Sequence, residues 1–368
     1  MPIEFPTDYA SICARMHAVD PVAYARTRNY VDGAVSHLSP YISRGVLSTH
    51  QVYQSLRARG FDLSSAEKFI SELAWRDYWQ QVWIQRGDAI DRDVLHAQPR
   101  GQRHGVPAAL LRGNTGIEAI DRAVRELVET GYMHNHVRMY VAAMACNVAR
   151  CYWLEPARWM HYFLLDADWA SNALSWQWVA GANSSKCYWA NQDNINTFCH
   201  SDQRDTFLDV PYEAFEELSI PDELADCEPL SLPLNLPEVA SLDVDTQRPT
   251  LVYTLYNLDP LWHDDENFNR VFLIDTDLLR RYPMGPNTLD FALQLADNIA
   301  EIQPFVGSFA QLADQCRGSA LHVRAHPTQT HYEGHIELRP AMTDTAGYFR
   351  SFFKFWRQCR RRLAEAEA

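Results

Sequence analysis

The spacing of apolar residues changes once along this 368-residue chain, and that change limits the folds open to it more than any other feature. Up to about residue 210, apolar side chains recur every three or four positions, in "QVYQSL", "KFISELAWRDYWQQVW", "GIEAIDRAVRELVETGY", "HNHVRMYVAAMACNVARCYWL" and "ARWMHYFLL". That is the period of helices burying one face, and it predicts an all-α region over 1–210. From residue 248 onward, short runs such as "TLVYTLYNL", "RVFLIDT", "IQPFVGS" and "ALHVRA" are separated by helical patterns, "TLDFALQLADNIA" and "FAQLADQC". Strand alternating with helix predicts a small α/β domain with a parallel, Rossmann-like sheet over 248–368. A last helix, "GYFRSFFKFWRQCRRRL", would place its arginines in the final turns, where the helix dipole favours cations. Between the two regions, residues 211–247 hold ten acids, five prolines and no Lys or Arg. Such a segment reads as an extended, self-repelling connector. The length agrees, since a single core seldom serves a chain this long.

The remaining composition excludes several classes. No run of eighteen apolar residues occurs and no basic, apolar leader opens the chain, so a soluble, cytoplasmic protein is expected. Eight cysteines without a CxxC argue against a disulfide framework, a zinc ribbon or a clustered iron–sulfur site. His134 and His136 are two apart and cannot share a helical face, so no metal site is expected. The net charge of −14 opposes binding to phosphates, but it is unevenly spread. Residues 1–210 hold 20 Lys and Arg against 22 acids, and residues 211–368 hold 13 against 25. The first region is nearly neutral and can still present a basic face.

Some residues are poorly explained by packing. "AVSHLSPYISRG" sets Ser36 and Ser39 before a predicted helix, an arrangement that suits either a helix cap or a bound phosphate. In "ELAWRDYW", Glu72, Trp75 and Arg76 stand at i, i+3 and i+4 and share a helical face. Asn135, Arg138 and Met139 repeat that spacing in "GYMHNHVRM", and Arg138 on an apolar helix needs a buried partner, for which Asp166 or Asp168 is the candidate. In "DADWASNALSWQW", Asn172 and Trp176 again share a face.

Taken in order, "SHLSPYISRG", "ELAWRDYW", "GNTGIEAIDRAVRELVETGYMHNHVRM", "DADWASNALSWQW" and "GANSSKCYWANQDN" resemble the FAD-binding helical domain of the DNA photolyase and cryptochrome superfamily, over roughly residues 20–212. The resemblance implies FAD as cofactor, with Tyr24, Ser36, His37, Leu38, Ser39, Phe69 and Arg76 around its phosphates and ribityl chain. Val35 stands where the family usually has a threonine, and so loses a hydroxyl contact. It further implies Asp166 and Asp168 at the flavin and its ribityl or adenine side, Arg138 paired to the first, Asn135 nearby and Asn172 facing the flavin N5. Glu72, Trp75, Tyr132, Asn135, Met139 and Trp178 match the pocket that receives a flipped cyclobutane pyrimidine dimer, with Tyr132 replacing the usual tryptophan. Such a pocket needs aromatic faces and a few polar groups. Trp176 and Trp153 match the proximal and middle members of the family's tryptophan electron chain. The distal place falls near Arg100, leaving Tyr152, Trp159 or Trp189 to carry the hole outward.

The family normally begins with an α/β antenna domain, to which the C-terminal region is weakly similar, so the resemblance implies a circular permutation with a reduced antenna domain. Whether a second chromophore binds there is left open. The function implied is light-driven repair of UV-damaged DNA, single- or double-stranded: photoexcited reduced FAD passes an electron to a cyclobutane dimer, the ring opens and the electron returns. A cryptochrome-like blue-light receptor is the alternative, consistent with the acidic C-terminal part, and a flavoprotein with neither role is a third.

Overall fold

The structure is a computed structural model that describes residues 3–234 and 236–367. Helices α1 (Tyr9–His17), α2 (Pro21–Thr27), α3 (Ser39–Ser43), α4 (Thr49–Ala58), α5 (Glu67–Arg86), α6 (Ala108–Arg112), α7 (Glu118–Thr130), α8 (Asn135–Ala143), α9 (Leu154–Phe163), α10 (Trp169–Val179) and α11 (Gln192–Cys199) fill the first part. Strands β1 (Val106–Pro107) and β2 (Cys227–Glu228) form a short antiparallel ladder there. Then follow β3 (Thr250–Thr254), β4 (Asn269–Asp275), α12 (Thr276–Arg281), α13 (Pro286–Ala296), β5 (Ile302–Gly307), α14 (Phe309–Gln315), β6 (Leu321–Arg324), β7 (His335–Glu337) and α15 (Phe352–Glu367). The expected helical region and the four expected strands are therefore present. β7 was not foreseen, because three residues reading His-Ile-Glu carry no strand signal.

By packing, the chain divides into two units that cut across the linear boundaries expected at 210 and 247. Ala23–Val35 and Arg86–Leu232 make a helical unit, and Glu4–Val22, Ser36–Gln85 and the chain from Pro233 make a sheet unit.

In the helical unit, Asp121 opens α7 by accepting from the backbone N–H of Thr115 at 2.7 Å and of Gly116 at 3.1 Å. The helix ends at Gly131, whose φ of 74° favours glycine and whose absent Cβ would lie 2.6 Å from Leu165 Cγ. The helix expected to run unbroken through residues 134–154 does not: α8 passes into a π turn at Met144–Val148, and Arg150 at φ 57° reverses the chain before α9. The period misleads here because residues 140–149 are buried on every side, so apolar spacing continues through the break.

The acidic connector is also more structured than expected. Phe215 and Leu224 are buried, Trp189 stacks on Phe215 at 5.0 Å, and Arg103 donates to the carbonyl of Leu224 at 3.0 Å. Two apolar anchors and backbone acceptors for an arginine outweigh the repulsion among exposed acids.

The sheet unit is built on five parallel strands in the order β5-β4-β3-β6-β7. β3 is buried throughout, as a strand covered on both faces must be. Val252, Val271, Leu273 and Val323 line one face and pack on Phe309, Leu312 and Tyr332. Leu242 and Val244 of the expected connector join this core. α15 begins at Phe352 and continues to Glu367, so Arg360–Arg362 lie in its middle and not in the last turn; the dipole argument for them fails.

Candidate active site

In the helical unit Arg138 and Asp166 are brought together. Arg138 donates from Nη1 to Asp166 Oδ2 at 2.9 Å and from Nε to the Met133 carbonyl at 2.9 Å, so Asp166 is the partner and Asp168 is not. Asp168 caps α10 through Ser171, whose hydroxyl donates to it at 3.0 Å. Between the two acids, Ala167 is held at φ 29°, its carbonyl 3.0 Å from His161 Nε2. That backbone state is costly for a residue with a Cβ, and it turns neighbouring carboxylates to separate tasks.

On α10, Trp169, Asn172 and Trp176 share one face at i, i+3 and i+7, and all three are buried. Asn172 Nδ2 donates to the Ala157 carbonyl at 2.8 Å. The amide is thereby fixed with Oδ1 free of any partner within the chain. That oxygen remains an acceptor for a ligand's N–H. The N5–H of a reduced flavin is such a donor, so the residues present fit the FAD that the resemblance implies.

Trp153 is fully buried, and its indole N–H donates to Asp93 Oδ1 at 2.8 Å. Its nearest ring on α10 is Trp169, 6.4 Å between centroids, and it makes no ring contact with Trp176. Trp169, whose N–H donates to Asp91 at 2.7 Å, was missed because the resemblance singles out other tryptophans. Of the candidate exits, Tyr152 lies 5.9 Å from Trp153, whereas Trp189 carries the Arg100 guanidinium 5.4 Å from its centroid. Tyr132 and Met139 are half-buried, Asn135 is exposed, and Trp178 is 40% exposed beside Tyr188. Burial, the largest influence, raises the Tyr132 phenol well above its ordinary range. Tyr24 and Val35 also belong to this unit.

The remaining expected residues lie in the sheet unit. Arg76 donates to Ser39 Oγ at 3.1 Å and to Ser43 Oγ at 2.5 Å, binding α5 to α3. The residue capping α3 is Leu38, with no side-chain hydrogen bond, so the serine cap expected from the sequence is absent. His37 stands at φ 52°, and burial with the nearby Arg15 lowers its ring to about 4. Phe69 is buried. Glu72 pairs with Lys68 at 2.7 Å, an ordinary i,i+4 contact. Trp75 departs most from expectation: Phe352 stacks on its ring at 3.7 Å and 10°, and Trp79 lies 4.8 Å away. One face offered for a base is covered by the chain's own α15.

In an open parallel sheet ligands bind beyond the strand ends where the winding direction reverses, here between β3 and β6. That crevice is filled. Arg44, with no exposed surface, donates to the Leu255 carbonyl at 2.9 Å, and Tyr256 stacks on His326 at 4.0 Å. Gly45 passes so close that a Cβ would meet the Tyr256 carbonyl oxygen at 2.5 Å.

Residues 69–208 match the family described as the FAD binding domain of DNA photolyase. A deoxyribodipyrimidine photo-lyase from Streptomyces griseus is 37% identical over 155 residues, 41% of this chain and 33% of its own length. One from Alkalihalophilus pseudofirmus is 33% identical over 152 residues, 40% of this chain and 32% of its own. The chain thus spans about a third of the curated relatives it matches. Among solved structures, a Synechocystis sp. cryptochrome aligns at 25% identity and a TM-score of 0.47, covering 53% of this chain and 44% of that one. Among the described residues no helix is long and apolar enough to cross a membrane. Residues 69–208 thus carry a sequence similar to the FAD binding domain of DNA photolyase.

Proposed function

We propose that this chain is a light-driven DNA-repair flavoprotein acting on cyclobutane pyrimidine dimers. The observation that carries the reading is the Asn172 amide, pinned through Nδ2 to the Ala157 carbonyl on one buried helix face with Trp169 and Trp176 and close in sequence to Asp166, the partner of Arg138. Bound and reduced, FAD supplies the photoexcited electron that opens the cyclobutane ring. In the helical unit Tyr24 and Asp168 would hold its polar chain, and Arg138, paired to Asp166, would stand by the ring. Trp178 gives an open aromatic face for the lesion, and Tyr132, Asn135 and Met139 of the same unit are the further candidate contacts.

A blue-light receptor is the second reading, favoured by the stacking of Phe352 on Trp75, which closes a face that repair would use. The two are separated by illuminating purified, FAD-loaded protein with single- and double-stranded dimer-containing DNA. Light-dependent loss of dimers is expected. Photoreduction without dimer loss would favour the receptor, and failure to hold FAD would overturn both.

A further inference from the structure

The sheet unit carries a cluster of imidazoles and carboxylates remote in sequence from the flavin motifs. β6 and β7 run parallel with His322 beside His335 and Arg324 beside Glu337. Strand side chains alternate between faces, so His322 on β6 and His335 and Glu337 on β7 point the same way, opposite to Val323 in the core. Each offers one ligand atom, and the three lie within 4.8 Å of one another. Gly334, at φ 128°, sets the register: a Cβ there would stand 2.4 Å from the Leu321 carbonyl oxygen, so only glycine brings His335 alongside His322.

Two details separate this cluster from a chance grouping. His322 Nδ1 is buried without a hydrogen-bond partner, 3.7 Å from Glu337 Oε1. That is too long for a hydrogen bond but close to the roughly 3.3 Å between two ligands that bond one zinc ion at about 2.0–2.1 Å. Glu337 is held from behind, accepting from Trp262 Nε1 at 2.9 Å and contacting His263 Nε2 at 2.9 Å, while His263 Nδ1 contacts Glu266 at 2.6 Å. Ligating carboxylates are oriented by such outer hydrogen bonds. Phe268 packs edge-on against His322 at 5.1 Å and keeps its ring in place.

We infer that His322, His335 and Glu337 bind one divalent transition-metal ion, zinc being the natural occupant, which clamps the edge strand β7 to β6. Two imidazoles and a carboxylate suit zinc, cobalt or copper and discriminate against magnesium and calcium. Exposure of His335 leaves the fourth position to solvent. The sequence expectation of no metal rested on His134 and His136, whereas His322 and His335 are joined only by strand register. The inference does not depend on the flavin reading.

The test uses the full-length protein with its flavin, freed of metal by chelator and dialysis, and titrated with ZnCl₂ by calorimetry and with CoCl₂ by visible absorption. One ion per chain is expected, with a Kd on the order of 1 μM or tighter. Saturating zinc should raise the melting temperature by about 5 °C at 100-fold excess over Kd. His335→Ala removes an exposed ligand with little risk to folding and should weaken binding on the order of 100-fold, while His134→Ala leaves it unchanged. MgCl₂ should neither bind nor stabilise. Absence of saturable zinc binding, or equal affinity in His335→Ala, would overturn the site, whatever the flavin content.

Discussion

Trp153 is caught between two demands, that of a core side chain and that of an electron carrier. Its Asp93 hydrogen bond at 2.8 Å satisfies the buried indole N–H and would also give a proton acceptor to an indole that becomes acidic when oxidised. Onward transfer is decided by electrostatics: a guanidinium 5.4 Å from the Trp189 centroid opposes positive charge on that ring, while Tyr152, 5.9 Å from Trp153, has no such cation over it. Under blue light with a reductant, Trp176→Phe and Trp153→Phe should slow flavin photoreduction by about tenfold or more, Tyr152→Phe should slow it less, and Trp189→Phe should leave it unchanged. Equal rates in all four would refute the path. Arg138 and Asp166 form the other residue pair with a measurable consequence. Asp166→Asn strands a guanidinium that is mostly buried, and unfolding experiments should register a loss of about 3 kcal/mol, with flavin content falling in parallel. The sequence made this pair legible, because a cation on an apolar helix requires a partner. It left Asp166 and Asp168 equal, and the choice between them depends on the backbone turn at Ala167.

Helix α5 joins its neighbours through groups that periodicity alone does not reveal. Asp77 accepts from Thr49 Oγ1 at 2.9 Å and from the backbone N–H of Met342 at 2.9 Å, and burial raises its carboxyl to about 6. The folded state therefore holds this proton more tightly than the unfolded chain, whose value is near 3.8. Stability contributed by Asp77 is full below about pH 4 and is lost as pH rises through about 6. Denaturant midpoints of Asp77→Asn minus those of the parent, taken from pH 4 to 7, should rise with pH; a flat difference would contradict the assignment. α15 meets α5 at Trp75 through the 3.7 Å stack of Phe352. Phe352→Ala should destabilise by about 3–5 kcal/mol. If Trp75 receives the lesion, it should also tighten dimer-DNA binding by the stacking energy released, about 1–3 kcal/mol. Weakened or unchanged affinity in the folded variant would place Trp75 in the core alone. The helices themselves were readable because their apolar stripes are long; β7 and the turn after α8 were not, since one is too short for a period and the other is buried throughout.

Local patterns say what each segment becomes, but not which segments share a core. Residues 36–85 carry the Ser39, Glu72, Trp75 and Arg76 motifs and would by sequence be grouped with the flavin helices, yet they pack with the chain from Pro233. The reason is visible in Arg44, which has no exposed surface: its guanidinium finds the Leu255 carbonyl at 2.9 Å and the Tyr256 ring at 5.4 Å, and its own carbonyl accepts from Leu258 N–H at 2.9 Å. Nothing in "ISRGVL" announces partners more than 200 residues away. A fragment of residues 1–212, the natural choice if the flavin motifs define a self-sufficient domain, would deprive Arg44 of these contacts and Asp77 of Met342. It would also uncover Tyr41 of α3, which packs on Phe291, and Trp75 and Tyr78 of α5, which pack on Phe352 and Phe355. Unsatisfied groups and newly exposed apolar surface on that many elements exceed the 5–15 kcal/mol margin of an ordinary domain. The fragment should accordingly be aggregated or molten, with near-ultraviolet circular dichroism lost and no stoichiometric FAD, while the full chain holds one flavin. A monomeric fragment that melts cooperatively and keeps its FAD would show that residues 1–212 fold by themselves and that the linear boundary is the physical one.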